Sequence, residues 1–190
     1  MKANDLILIV DMQNVYLSGQ PWGCDSISRS IQNIQMLLRI AEAETNPPAV
    51  CFTRFLSDPD ATGAWKDYNI KHRDINANPW LNEITDELKP YLRYFPLYTK
   101  SVYSSLRIPE LHTAAERAGR LVVAGVMSEC CVLATCMEAV DMGCHVVYLQ
   151  DVCSGDNAAM EASALNILKG LSPLHVVIMD TPDYIGEREQ

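Results

Sequence analysis

The feature that most limits what this chain can become is a rhythm: short apolar runs recur between longer segments of helical periodicity. The clear runs are LILIVD (6–11), AVCFTRF (49–55), LVVAGV (121–126), HVVYLQD (145–151) and HVVIMD (175–180). FPLYTK (95–100) is a weaker sixth, and its Pro96 suits an edge or a strand start, because proline has no N–H to give to a ladder. Helical patterns lie between them at about 26–44, 83–89, 108–118, 129–142 and 156–170. β-branched residues crowd into the runs, and Ala, Leu, Met, Glu and Gln into the segments between, so propensity agrees with period. The alternation predicts an α/β fold with three layers, α/β/α, around a six-stranded, mainly parallel, Rossmann-like sheet. A chain of 190 residues falls in the size range of one domain, so 1–190 is read as a single unit.

Right-handed crossovers put the carboxyl end of every parallel strand on one edge of the sheet, and ligands bind there. That edge is expected to carry Asp11, Arg54, Lys100, the 126–131 turn and Asp151. The segment 56–82 has turn formers and two tryptophans but no clear periodicity. It is too long for a routine connection and reads as a functional or interface loop.

Charge and composition exclude several classes. A formal net charge of -9 repels phosphate backbones and anionic lipid, and no basic patch offsets it, so neither nucleic acid nor membrane is an expected partner. The N-terminal apolar run is five residues long and ends at an acid, which suits a buried strand rather than a signal peptide or a spanning helix. A cytoplasmic location is the corresponding expectation. In that reducing setting the seven cysteines read as free thiols, and an odd count leaves at least one unpaired within a monomer.

GVMSECCVLATC (125–136) holds three of those cysteines. Ser128 can cap a helix starting at Glu129, which puts Cys130 and Cys131 in the first turn, where the positive end of the macrodipole lowers a thiol's pKa. Adjacent residues project about 100° apart, so only one of the two takes a nucleophile's place, and the pattern does not choose between them. The plain alternative is a pair of small buried side chains. Val132, Thr135, Cys136, Ala139, Val140 and Gly143 form a stripe that should face the sheet, making Cys136 a core thiol. The spacing lacks the C-x-x-C pairs that hold zinc, so no metal is expected.

Three ordered blocks carry a family resemblance: LILIVDMQNVYL with Asp11, LKPYLRYFPLYTKSVYSSL with Lys100, and LVVAGVMSECCVLATC continuing to residue 155. The chain resembles the isochorismatase-like cysteine hydrolases, which include nicotinamidases, N-carbamoylsarcosine amidases and ureidoacrylate amidases. The resemblance implies a sheet of order 3-2-1-4-5-6 and an Asp11–Lys100–Cys131 triad, the nucleophile being the cysteine followed by Val132 and Thr135. It also implies a non-proline cis peptide, here between Val126 and Met127, an oxyanion pocket from the N–H groups of Met127 and Cys131, and self-association into a homo-oligomer. The implied activity is cleavage of an amide, carbamoyl or ureido C–N bond of a small molecule through a thioester, with no cofactor. Gln13, Arg54, Trp65 and Tyr103 are the candidate substrate contacts. Arg54 would pair with a carboxylate on the substrate, or else with one of the chain's own. Gln13 and Asn14 serve equally to satisfy backbone groups in their turn. Trp65 and Trp80 would wall this pocket or a neighbouring subunit's.

One block departs from the nicotinamidase pattern. Those enzymes carry a D-x-H metal motif after the second strand, and here the sequence reads FTRFLSDPD; His72, Asp58 and Asp60 do not restore the spacing. Two further readings stay open: a thiol redox switch using Cys130 and Cys131, and a partner-binding member of the fold without catalysis.

Overall fold

Strand β1, Asp5–Val10, is buried at every position. Its side chains alternate between two cores, as a pleated strand requires. Ile7 and Ile9 join one cluster with Ile27, Ile31, Ile34 and Leu38. Leu6, Leu8 and Val10 join another with Leu111, Val132, Cys136 and Leu168. A strand with helices on both faces must be apolar throughout, which is why LILIV reads as a run. A computed structural model describes residues 1–187, and the rest of the expected 1–190 unit lies outside the described residues.

The further elements are α1 (Ile27–Ala43), β2 (Ala49–Phe55), α2 (Gly63–Lys71), α3 (Arg73–Asn76), β3 (Leu97–Lys100), α4 (Pro109–Arg117), β4 (Arg120–Val126), α5 (Leu133–Asp141), β5 (Val146–Ser154), α6 (Ala158–Lys169), β6 (Val176–Met179) and α7 (Thr181–Gly186). The sheet order is β3-β2-β1-β4-β5-β6, all neighbours parallel. The strand with Pro96 at its start is an edge. Helices α1 and α7 contribute to one core and α4, α5 and α6 to the other.

The structure departs from the expected elements in four places. No helix covers 83–89; the amide of Thr85 goes to the carbonyl of Met12, and the carbonyls of Leu81 and Glu83 receive the amides of Val15 and Asn14. Backbone groups committed to the loop after β1 are not free to close helical turns. The 56–82 segment contains α2 and α3 rather than irregular chain. No residue of α2 is buried, so it lacks the apolar stripe by which a helix is recognised in sequence. Strand β5 runs on to Ser154 through a register shift opposite Val123 and Gly125, which leaves Asp151 within the strand. There its Oδ1 accepts from the amide and hydroxyl of Thr181, both at 2.8 Å, and its Oδ2 from Asn33. Asp151 therefore anchors α7 and is not part of the ligand edge. The stripe on α5 stops short as well, with Gly143 exposed beyond the helix end.

Gly125 is where the fold is least tolerant. Its φ of +119° suits only glycine, and a Cβ there would stand 2.1 Å from the carbonyl oxygen of Val10. This close approach lets β4 pass the end of β1. Gly125→Ala is expected to cost about 3 kcal/mol or more, since both the conformation and the contact involve backbone. Urea unfolding of the variant beside the parent measures it.

Candidate active site

Alternation along the strands decides which side chains meet. On β2, Cys51 belongs to the α4/α5 core and Phe52 to the α1 core, so Thr53 and Phe55 face with Cys51, and Arg54 faces the other way. On β3, Tyr98 packs against the α4/α5 core and Leu97 against the other, which sends Lys100 to the first. Alternation alone would send Asp11 to the α1 side with Ile9. Asp11 breaks the rule, having φ of +52°, a left-handed conformation that bulky residues avoid and Asp tolerates. The turn brings its carboxylate across to Thr53, whose hydroxyl donates to Oδ1 at 2.8 Å.

Three far-separated side chains meet there. Lys100 Nζ stands 2.5 Å from Asp11 Oδ2 and donates to Cys131 Sγ at 3.2 Å and to the carbonyl of Val102 at 3.0 Å. Side-chain exposure is 0% for Asp11 and 1% for Lys100, and Cys131 retains 4%. The Val126–Met127 peptide is cis. The Met127 carbonyl then accepts from the amides of both Cys130 and Val132. This winds Ser128–Val132 into a π-helical turn ahead of α5. The cap position falls on Met127 and Ser128 is the first residue of the turn, contrary to the expected capping by Ser128. Cys131 is buried in this turn while Cys130 is only half-buried, which resolves the ambiguity between the two thiols: Cys131 meets Asp11 and Lys100.

The electrostatics reverse one expectation from sequence. Burial, and then the negative charge of Asp11, push the Cys131 thiol well up; Lys100 pulls it back but does not win. Loss of hydration outweighs the helix end. For Lys100, burial disfavours the ammonium, but Asp11 and Cys131 outweigh it and the net shift is upward. The resting arrangement near neutrality is a neutral thiol, an ammonium and its carboxylate partner.

An aromatic wall adjoins Lys100 through Phe55. Trp65 lies 4.9 Å from Tyr103 and 5.4 Å from Tyr68 between ring centroids, Phe55 lies 6.0 Å from Trp65, and Trp22 lies 6.3 Å from Tyr68. The phenols of Tyr68 and Tyr103 are raised first by burial and then by neighbouring charges that include those of Cys130 and Cys131. Lys100 Nζ sits 5.7 Å from the Phe55 ring centroid. Thr53, Trp22, Phe55 and Tyr68 were not singled out in sequence. Period two along β2 carries the signal for Thr53 and Phe55, which flank Arg54.

Other candidates fall outside this arrangement. The Gln13 amide donates to the carbonyls of Phe55 and Asn82 and accepts from the amide of Phe55. It is spent on backbone and holds the edge together instead of reaching a substrate. Arg54 donates from Nε to the Thr99 hydroxyl at 3.0 Å, an exposed contact on the face opposite Thr53, so it does not supply a carboxylate site beside Asp11 and Lys100. Trp80 is 46% exposed and stands apart from the wall. A metal does not fit the residues after β2. His72 packs on the rings of Tyr68 and Trp22 at 4.5 and 5.3 Å, and Asp58 caps the amide of Asp60. Among the described residues no three His, Cys, Asp or Glu side chains gather as a metal site would require. Nor is any helix among them long and apolar enough to cross a membrane.

A family described as the isochorismatase domain matches residues 5–183. Solved structures agree on the fold. A cysteine hydrolase from Pseudomonas syringae pv. phaseolicola is 20% identical with a TM-score of 0.81, over 97% of this chain and 92% of that one. An isochorismatase family protein from Desulfovibrio vulgaris is 19% identical with a TM-score of 0.78, over 95% and 96%. The nicotinamidase of Bacillus subtilis is 18% identical with a TM-score of 0.72, over 93% and 99%. No curated protein sequence matches the chain.

Two outcomes follow for stability. Lys100→Ala leaves the Asp11 carboxylate buried without its counter-charge and should cost about 3–5 kcal/mol, whereas Asp11→Asn combined with Lys100→Met should cost less than the lysine change alone. Urea titrations of the two variants beside the parent test this. Folded Lys100 and Cys131 both titrate above their unfolded values. Each therefore contributes stability that is complete below its unfolded pKa and is lost as pH rises through the folded one. The urea midpoint is expected to hold from pH 7 to about 8.5 and fall from about 9 upward.

Proposed function

The chain belongs to the isochorismatase family, and from that premise we propose that it is a cysteine hydrolase that cleaves a C–N bond of a small, uncharged amide, carbamoyl or ureido compound. The observation that carries the reading is the contact of the Lys100 ammonium with both the Asp11 carboxylate and the Cys131 sulfur. With the thiol neutral at rest, attack and deprotonation are coupled: the sulfur adds to the carbonyl carbon as its proton passes to Asp11. Lys100 steadies the thiolate character that develops on the way. The amides of Met127 and Cys131 are the donors proposed for the tetrahedral oxyanion. Asp11 then gives its proton to the leaving nitrogen, the C–N bond breaks, and a thioester remains on Cys131. Water, deprotonated by Asp11, adds to the thioester and releases the acid and the thiol.

Substrate charge follows from the wall. Tyr68, Tyr103, Trp65, Phe55 and Trp22 are uncharged, burial keeps His72 toward its neutral form, and Lys100 is committed to Asp11 and Cys131. A carboxylate brought against these rings would lose water without gaining a counter-charge. With Arg54 turned away, the wall supports an uncharged, flat or apolar group beside the scissile carbonyl. Self-association of the chain and its presence in the cytoplasm belong to the same proposal.

The test is intact-mass spectrometry during turnover of a panel of carboxamides, N-carbamoyl and ureido compounds, with p-nitrophenyl acetate as a chromogenic acyl donor. An acyl adduct should form on the parent and on Cys130→Ala and be missing from Cys131→Ala. Asp11→Asn should slow acylation about 10²–10⁴-fold. Uncharged members should be preferred to their carboxylate-bearing analogues by about tenfold or more in kcat/KM. A reversible, peroxide-dependent mass change with no turnover of any member would replace this reading with a thiol switch.

A further inference from the structure

Behind the triad lies a chain of buried hydroxyls whose bonding directions are fixed by counting protons. Thr53, Ser105 and Thr135 are each 0% exposed. A hydroxyl has one proton to give. Thr135 donates it to the carbonyl oxygen of Cys131 at 2.7 Å, while its oxygen accepts from the amide of Ser105 at 3.0 Å. Thr53 lies 2.8 Å from Asp11 Oδ1 and 3.4 Å from Ser105 Oγ. The shorter contact is to a charged acceptor and takes the proton. Ser105 is then the donor in the longer contact. The chain therefore runs without a break from the carboxylate of the base to the backbone of the nucleophile.

We infer that Thr53 is a positioning residue of the reaction, a single hydroxyl that fixes the rotation of the Asp11 carboxylate so that Oδ2 is presented to Lys100 and Cys131. This rests on the triad reading above and adds to it a residue that need touch neither substrate nor sulfur. A carboxylate turns about its last bond with little resistance, its terminal torsion being broad and two-fold. Lys100 holds one oxygen and is itself a flexible chain with other acceptors, Val102 and Cys131, so it does not fix the plane by itself. Thr53 sits on a central strand, β2, opposite Tyr98 of β3, and supplies the second point that does. Ser105 and Thr135 extend the clamp to Cys131, holding acid and sulfur in one frame. Geometry held to within fractions of an ångström is what proton transfer during attack requires.

The experiment measures the burst of p-nitrophenolate release from p-nitrophenyl acetate in the parent, Thr53→Val, Thr53→Ser, Asp11→Asn and the Thr53→Val/Asp11→Asn double variant. Circular dichroism and thermal unfolding establish that each is folded. Acylation by Thr53→Val should be about tenfold or more slower at saturating ester, with KM changed less than about threefold, and Thr53→Ser should stay within about threefold of the parent. Because Thr53 acts through Asp11, the double variant should be no slower than Asp11→Asn alone. Thr53→Ala replaces the valine variant if that does not fold. A Thr53→Val burst within twofold of the parent, while Asp11→Asn is slow, overturns the positioning role and leaves the triad standing. Further slowing of Asp11→Asn by Thr53→Val overturns it also, by showing a route that bypasses the acid. An Asp11→Asn burst equal to the parent's removes the triad reading, and the inference with it.

Discussion

The structure depends on a charged pair that is costly to bury. Asp11 and Lys100 have almost no exposed surface, and taking each ion out of water costs several kcal/mol in order of magnitude. Their mutual attraction offsets that cost only when the remaining hydrogen-bonding capacity is also met. Much of it is: Thr53 donates to Oδ1, and the carbonyl of Val102 and the sulfur of Cys131 accept from the ammonium, while Oδ2 has the Lys100 charge beside it. The surrounding backbone is built for this arrangement. Asp11 takes a left-handed conformation to reach it, and Gly125 carries no side chain so that β4 can pass beside Val10. An apolar pair would be easier to bury, so the site is where the fold spends stability on chemistry.

That balance explains what was legible in the sequence. The strands were readable because β1, β2, β4 and β5 are apolar on both faces, and a run of that kind has few alternative structures. The triad residues were readable as positions at strand ends, and the family resemblance selected Asp11, Lys100 and Cys131 among them. Helix α2 was not readable, because it has no buried residue and its Trp65 and Tyr68 pack on Phe55, Tyr103 and Trp22, contacts made only in three dimensions. Asp151 was misplaced because the end of β5 is set by a register shift against β4, a property of the pair of strands. Arg54 and Thr53 differ by one position, and only the alternation of β2 against both cores says which of them faces Asp11.

The choice between the two adjacent thiols shows how backbone settles what side-chain pattern leaves open. In a regular helix the two would differ by about 100° with nothing to favour either. The π-helical turn, closed by Met127 accepting from Cys130 and Val132, buries Cys131 against Lys100 and leaves Cys130 half-buried. Burial then pushes the Cys130 thiol up as well, with Glu129 adding to the effect. Neither sulfur is therefore a standing thiolate.

A nucleophile that is neutral at rest has a consequence for selectivity. A standing thiolate in water reacts with any accessible electrophile, and its reactivity is set by pKa alone. In the proposed mechanism, a buried thiol whose proton leaves only toward Asp11 reacts when a carbonyl is already in place, because only then does negative charge pass from sulfur to an oxygen with donors proposed for it. The upward shift of Cys131 is thus compatible with catalysis and ties its reactivity to substrate binding. In the same proposal the rings of Tyr68, Trp65 and Tyr103 add no charge that would stabilise the thiolate without substrate. On the proposed mechanism, burial, the uncharged wall and the hydrogen-bonded acid are one device: they keep the proton on sulfur until the carbonyl arrives.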